Sequence, residues 1–397
     1  MDLEGLTAEL RDSRARPRIP ASAVGRGVLV MQLSRLGSFH ALEQTRPSRF
    51  WRGFLGGALP SADTMGRVCE RMDVSGIRRI QHQLYARLKR GKALRPPAHG
   101  LMAAVLDAHE THATRRRCCS GCLVRSIHTA RGEEKEYYHR IVCLVLACQD
   151  QCFAMDVEPM QAGEDEVRAG MRLVDRAVAE YPRAFDVVAG DGLYARSDFF
   201  NHVKELGKEA IAVLKDEQRD LLQDARSLWA SVPPAVEEAG ALRREMWDIS
   251  GFKTWPQCRH AVRVIRSRER RRVRRQLDDK VREETSDWVW VTTLTESQAG
   301  TAAAVQIGHS RWNIENQGFN ELVNRWHADH IYRHHPAAIL VLWLMAFLAL
   351  NLFEAFYLRN LKPALRQAYD TMHISRLILT ELLVSLVEDL PPNPSGP

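Results

Sequence analysis

Several features are scarce or missing in these 397 residues, and each omission removes a class of protein. The opening segment MDLEGLTAELRDSRAR has no apolar core and carries acids, so it reads neither as a secretory signal nor as an Arg-rich, acid-poor transit peptide. The expectation is a cytoplasmic protein. No apolar stretch reaches the roughly 18 to 20 residues that span a bilayer; the longest, AAILVLWLMAFLAL over residues 337–350, reads as a buried core helix, and no membrane partner is expected. Eight cysteines are too few in a chain of this size for a disulfide scaffold and suit reduced thiols or metal binding. No internal repeat is visible, which excludes a solenoid.

What is present is a chain longer than one ordinary domain, with 45% hydrophobic residues to fill a core. Lysine and arginine number 56 against 49 acids, a net charge of +7, and this balance favours a polyanionic partner without proving one. Residues 1–97 read as helical and basic, with a helix start at Pro60-Ser61-Ala62-Asp63, closed by a linker at Pro96, Pro97 and Gly100. From Leu101 the pattern changes to short strands rich in Val, Ile, Leu and Cys: LMAAVLDA, CLVRSIHT, YYHRIVCLVLACQ and QCFAMDVEP. Their short joins imply antiparallel pairing. A helix from Glu164 to Tyr181, the strand FDVVAGD, a helix near Ser197 to Leu206 and the strand EAIAVLK follow, an alternation that adds parallel strands to the sheet. A β-rich insertion occupies about residues 230–296. Helices return over Ser297 to Trp326, Pro336 to Asn360 and Ile374 to Leu390, and the tail PPNPSGP reads as disordered.

Two acids end apolar strands, Asp107 in MAAVLD and Asp191 in DVVAGD, and acids at strand ends converge at one edge of a sheet. Glu315 lies on the helical segment RWNIENQGFNEL, four residues from Arg311 and on the same face. A helix beside the sheet edge brings the third carboxylate to the first two. Three carboxylates shared by two Mg²⁺ (or Mn²⁺) ions suit phosphodiester hydrolysis, because paired ions activate the attacking oxygen and stabilise the leaving one. No nucleophilic side chain is then required.

With VLDAHE, GEDE, AGDGLY and RWNIENQGFNEL in place, the chain resembles bacterial insertion-sequence DDE transposases over roughly Leu101 to Tyr357. The likeness is to the insertion-sequence-four-like subgroup, whose ribonuclease H-like catalytic domain carries a β-strand insertion before the glutamate. The resemblance implies an α/β fold with a mixed sheet over residues 98–360, a helical N-terminal module over 1–97 that reads the transposon end, and a C-terminal helix and tail over 361–397. It also implies a reaction: water attacks the phosphodiester at each transposon end, and the freed 3′-OH then attacks target DNA. Asp107, Asp191 and Glu315 would hold the metal, and Arg311 would orient Glu315 or contact a phosphate. Double-stranded DNA is the implied partner, with a homodimer at synapsis. The family's second motif corresponds to Asp191, Gly192 and Tyr194. Two positions of its third motif depart, since Gly308 stands where a tyrosine is expected and Leu322 where a lysine is expected.

Inside the insertion, the run RHAVRVIRSRERRRVRR offers Arg266, Arg268, Arg270, Arg271, Arg272, Arg274 and Arg275 to the DNA backbone. Trp247 and Trp255 flank it. The resemblance implies that one such tryptophan stacks on an unpaired base, while for either residue taken singly core packing is the better reading. Cys118, Cys119 and Cys122 form CCSGC, with His109, His112 and His128 nearby. That is half of a thiolate and imidazole zinc knot, and with no second pair at regular spacing a reduced cysteine-rich turn is the expectation. His327, His330, His334 and His335 read as helix-end partners, and the acids of GEDE as a helix start. Two alternatives to transposition stand beside it: a ribonuclease H-like metal-dependent nuclease without strand transfer, and a DNA-binding relative that has lost catalysis.

Overall fold

The computed structural model describes residues 3–116, 118–130, 132–215, 219–252, 254–274, 281–314 and 320–387. Glu315, Arg275 and the tail PPNPSGP lie outside them. Six helices lead: α1 (Leu3–Thr7), α2 (Ala21–Leu33), α3 (Phe39–Glu43), α4 (Phe50–Leu55), α5 (Ala62–Cys69) and α6 (Val74–Arg90). The expected start of α5 is there, with Ser61 capping it by accepting from the Thr64 N–H. The strands then run β1 (Ala103–Thr114), β2 (Leu123–Thr129), β3 (Gly132–Ala147) and β4 (Cys152–Pro159). After α7 (Glu166–Glu180) come β5 (Val187–Gly190), α8 (Ser197–Glu205), β6 (Glu209–Val213) and α9 (Arg219–Trp229). The insertion contributes β7 (Ala235–Ala239), β8 (Leu242–Ser250), β9 (Arg263–Arg274) and β10 (Val281–Thr292). Five helices close the chain: α10 (Thr301–Ile314), α11 (Asn320–Trp326), α12 (Pro336–Arg359), α13 (Pro363–Ala368) and α14 (Thr371–Val387).

All ten strands join one mixed sheet in the order β2-β3-β1-β5-β6-β10-β9-β8-β7, with β4 paired to β3. Pairing is antiparallel from β1 to β3 and from β3 to β4, and parallel from β1 to β5 and from β5 to β6. The insertion is not a separate unit, because β10 pairs antiparallel with β6 through Trp290 opposite Val213 and so extends the same sheet. Its hairpin is longer than the sequence runs suggested. Arg271 and Arg272 of β9 pair opposite Glu284 and Glu283 of β10, and cross-strand opposite charges support long, exposed strands.

The N-terminal helices and the sheet share one hydrophobic core. Its centre is α12, which packs on β4 and on α2, α5 and α6. At 24 residues α12 exceeds the apolar run read from sequence and is long and apolar enough to cross a membrane by composition; its burial within the fold accounts for that composition instead. Asn351, its one buried amide on this face, donates to and accepts from the Ala154 backbone of β4, which satisfies both strand groups.

A second polar cluster ties the helical end of the chain together. Arg35, in left-handed backbone (φ 56°) just after α2, faces Glu321 of α11 at 3.5 Å and lies 3.8 Å from the Trp326 ring centroid. Glu354 of α12 belongs to the same cluster. Burial raises its carboxyl from 4.5 to about 7, the Glu321 charge adds to this, and Arg35 opposes it. A carboxyl whose folded value is raised binds its proton more tightly folded than unfolded, so stability falls as pH rises from about 4.5 through 7 and then levels. Glu354→Gln is expected to remove about 3 kcal/mol of that loss. Urea unfolding at pH 5 and pH 8 should show the variant gaining on the wild type only at the higher pH; an equal difference at both would refute the assignment.

Candidate active site

Ala103, Ala104 and Val105 of β1 lie opposite Val187, Val188 and Ala189 of parallel β5. Asp191 follows β5 in extended backbone (φ −78°, ψ −169°), so the same register continued two residues sets Asp107 beside Asp191. Neighbouring strands are about 4.8 Å apart, close enough for two carboxylates to share a cation. The sequence placed Asp107 at a strand end, and this is corrected: β1 continues through Thr114, held by β3, with Asp107 opposite Cys143. It is β5 that stops, so the acidic pair sits where a short parallel strand ends beside a long one.

The local sequence AGDGLY explains how Asp191 is held. Its Oδ1 accepts from the Leu193 N–H at 2.9 Å and caps a short turn over Gly192–Tyr194. Tyr194 folds back, buried, against Gly190, where an added Cβ would lie 2.7 Å from its ring. A Cβ on Gly192 would lie 2.9 Å from the Lys215 side chain. Both glycines are therefore needed for close approach rather than for an unusual φ. Burial pushes the Tyr194 phenol well up, and the charges of Glu166, Asp191 and Asp107 push the same way.

Glu166 was read as part of a helix start. It stands there: Asp165 caps α7 by accepting from the Arg168 N–H, and Glu166 is in the helix's first turn. Glu166 is also buried, pairs with Arg140 at 2.7 Å, and has its carboxyl raised by burial and by Asp191 against the pull of Arg140. Nothing in its sequence context separates it from its two acidic neighbours.

Helix α10 packs on β1, β5 and β6. Arg311 lies in its last turn, so the chain approaches Glu315 from a helix resting on the strands that present both aspartates. The two departures in this segment have a steric cause. A Cβ on Gly308 would lie 2.5 Å from the Trp290 indole of β10, leaving no room for a tyrosine, and Leu322 is buried in the core. Trp288 and Trp290 stack with an interplanar angle of 9°, His309 stands edge-on to both, and its Nε2 meets Glu269 of β9 at 2.7 Å. Against the cost of burial, His309 and Arg244 hold the Glu269 carboxyl down at about 2. This ladder fixes the insertion against α10.

The insertion's predicted DNA contacts divide in two. Arg266 pairs with Asp287 at 2.5 Å and lies over the Trp229 and Trp247 rings, and Arg268 approaches Asp287 at 3.9 Å. Arg270, Arg271, Arg272 and Arg274 are exposed. Trp247 is buried and donates to the Val232 carbonyl, and Trp255 is buried against Phe200. Both tryptophans pack as core and present no free ring face. Trp312, half exposed and next to Arg311, is the ring the sequence reading passed over. It lines a cavity of about 920 Å³ with Arg244, Arg271, Trp288, Ser310 and the Cys148–Cys152 turn.

A scan against protein families matches residues 104–352 to the family described as Transposase DDE domain. The match covers well over half of the chain. This chain belongs to the DDE transposase family. The sheet is accordingly a ribonuclease H-like one, its members act on DNA, and the family depends on divalent metal ions. The matched segment opens at β1, three residues before Asp107, and ends inside α12, so it contains the acidic pair, the insertion and the Glu315 segment of the transposase. No curated protein matches the chain.

Proposed function

We propose that this transposase belongs to the insertion-sequence-four-like subgroup and cuts phosphodiesters at the ends of its element, then joins the freed 3′-OH to target DNA. The observation that supports this reading is the β1 and β5 register, which pairs Val105 with Ala189 and, continued by two residues, would bring Asp107 level with Asp191. With Glu315 these carboxylates would hold two Mg²⁺ or Mn²⁺ ions, which supply an activated attacking oxygen and a stabilised leaving oxygen. Oxygen donors of this kind suit either ion.

The chain's own groups bind and orient the DNA. Arg270, Arg271, Arg272 and Arg274 on the exposed hairpin meet the backbone without reading sequence. Arg311 orients Glu315 or a phosphate, and Trp312, half exposed, lines the cavity beside it. Lys215, whose stem crosses Gly192 next to Asp191, is a further cation available to a phosphate. Helices over residues 1–97 read the element's end, with Arg79, Arg87, Lys89 and Arg90 exposed along α6; two copies synapse two ends.

The test is incubation of the purified protein with Mg²⁺ and labelled DNA carrying the gene's own flanking repeats, followed by addition of target plasmid. Cleavage at the repeat boundary and covalent joining to the plasmid are expected. Cleavage without joining would leave a nuclease of the same fold, and binding without cleavage an inactive relative.

A further inference from the structure

The cysteine-rich turn between β1 and β2 acquires in three dimensions the ligands it lacks in sequence. Cys119 and Cys122 lie in that turn, His139 is on β3, and His334 comes from the connection between α11 and α12. One ligand atom from each of the four lies within 4.8 Å of every other. The two sulfurs are 3.6 Å apart, each is 3.4 Å from His139 Nε2, and Cys122 Sγ is 3.3 Å from His334 Nε2. Tetrahedral zinc with Zn–S near 2.3 Å and Zn–N near 2.0–2.1 Å requires edges of about 3.8 Å between sulfurs and about 3.6 Å between sulfur and nitrogen. A disulfide would need the sulfurs near 2.05 Å, and no such bond is present.

The turn itself is shaped for a metal thiolate. The Cys122 N–H donates to the Cys119 carbonyl at 3.1 Å, and the Cys119 N–H is aimed at the Cys122 sulfur at 3.2 Å, the kind of outer contact that steadies a ligating sulfur. Gly121 permits the close approach of the far segment, since a Cβ there would lie 2.8 Å from Pro336, at the head of α12. His139 is buried and its strand is fixed by pairing with Thr111 of β1.

We propose that Cys119, Cys122, His139 and His334 bind one structural Zn²⁺. Two thiolates and two imidazoles match zinc and not the hard cations that carboxylates hold. Four protein ligands close the coordination shell, so the site takes no part in the cleavage chemistry. Its role is mechanical. It joins the connection that follows the Glu315 segment to the strand pair carrying Asp107, across 212 residues between Cys122 and His334.

Full-length protein, purified without a metal-binding tag, is expected to contain about one zinc per chain by elemental analysis. Cys118 is exposed and outside the ligand set, so Cys118→Ser should keep the metal while Cys122→Ser and His334→Ala lose most of it. Because those two variants can fail to fold, the wild type is also grown with Co²⁺, where thiolate charge-transfer and tetrahedral ligand-field bands are expected. Wild-type protein that contains no zinc and shows no such bands overturns the proposal. So does full zinc retention in Cys122→Ser.

Discussion

Asp191→Asn is expected to reduce metal-dependent DNA cleavage by at least about a thousandfold, or about 4 kcal/mol of transition-state stabilisation. The substitution isolates charge from shape. Asparagine keeps an Oδ1 that can accept from the Leu193 N–H, so the turn over Gly192–Tyr194 retains its cap. The packing of Tyr194 on Gly190 does not involve the carboxylate and should persist. What is lost is a negative charge, and with it, on the proposed mechanism, one of the carboxylates that would hold a divalent ion. On the proposed mechanism the two carboxylates serve one site, so Asp107→Asn should match it. Cleavage rates of labelled substrate measure the effect, with gel-shift affinity in the absence of metal expected to stay within a few-fold of wild type. A variant that cuts within tenfold of the wild type would remove Asp191 from the site.

Asp156→Ala is expected to destabilise the fold by about 3 kcal/mol. Asp156 is on β4 and only 2% exposed. Its carboxylate accepts from Arg78 of α6 at 3.0 Å, from Arg176 of α7 at 2.5 Å and from the Val157 N–H at 2.8 Å. The group thus connects an N-terminal helix, the catalytic sheet and the helix that bears Glu166. Truncation leaves two guanidiniums facing each other with their shared counter-ion gone. Their side chains are 17% and 24% exposed, so water relieves part of that cost and the lower end of the usual range applies. Nearby Gln81 also donates to the Ala154 carbonyl, which holds α6 to β4 by a second, uncharged contact. Urea unfolding measures the change; a loss below about 1 kcal/mol would show that the arginines find other partners.

The order of elements was largely legible because hydrophobic periodicity is a local property. Nine of the strands correspond to apolar runs visible in the sequence, as do the helices from α7 to α12, and the short β7 and α13 were passed over because neither buries an apolar face. Asp107 and Asp191 stood out for the same reason, each following an apolar run. For Trp247 and Trp255 core packing was the better reading, and both are buried, although the resemblance offered one of them to a base. Trp247 and Trp255 sit among basic residues in sequence yet point inward, whereas Trp312 has an ordinary helical setting and is half exposed. Burial depends on which face of a strand or helix meets another element, and charge in the neighbouring residues does not report it.

By itself the sequence determined the mixed α/β character, the presence of an insertion and, through its motifs, the family, and it nominated Asp107, Asp191 and Glu315 as candidate metal-binding acids. Tertiary structure decided what depends on residues far apart in the chain. It extended the insertion as part of the same sheet through the pairing of β10 with β6, explained Gly308 by the Trp290 indole, and paired buried Glu166 with Arg140. It also brought His139 and His334 to the CCSGC turn. The physical reason is common to all of these. Backbone hydrogen bonding and side-chain alternation act over a few residues and leave a pattern in the order of amino acids, whereas strand register and packing join distant segments and leave none.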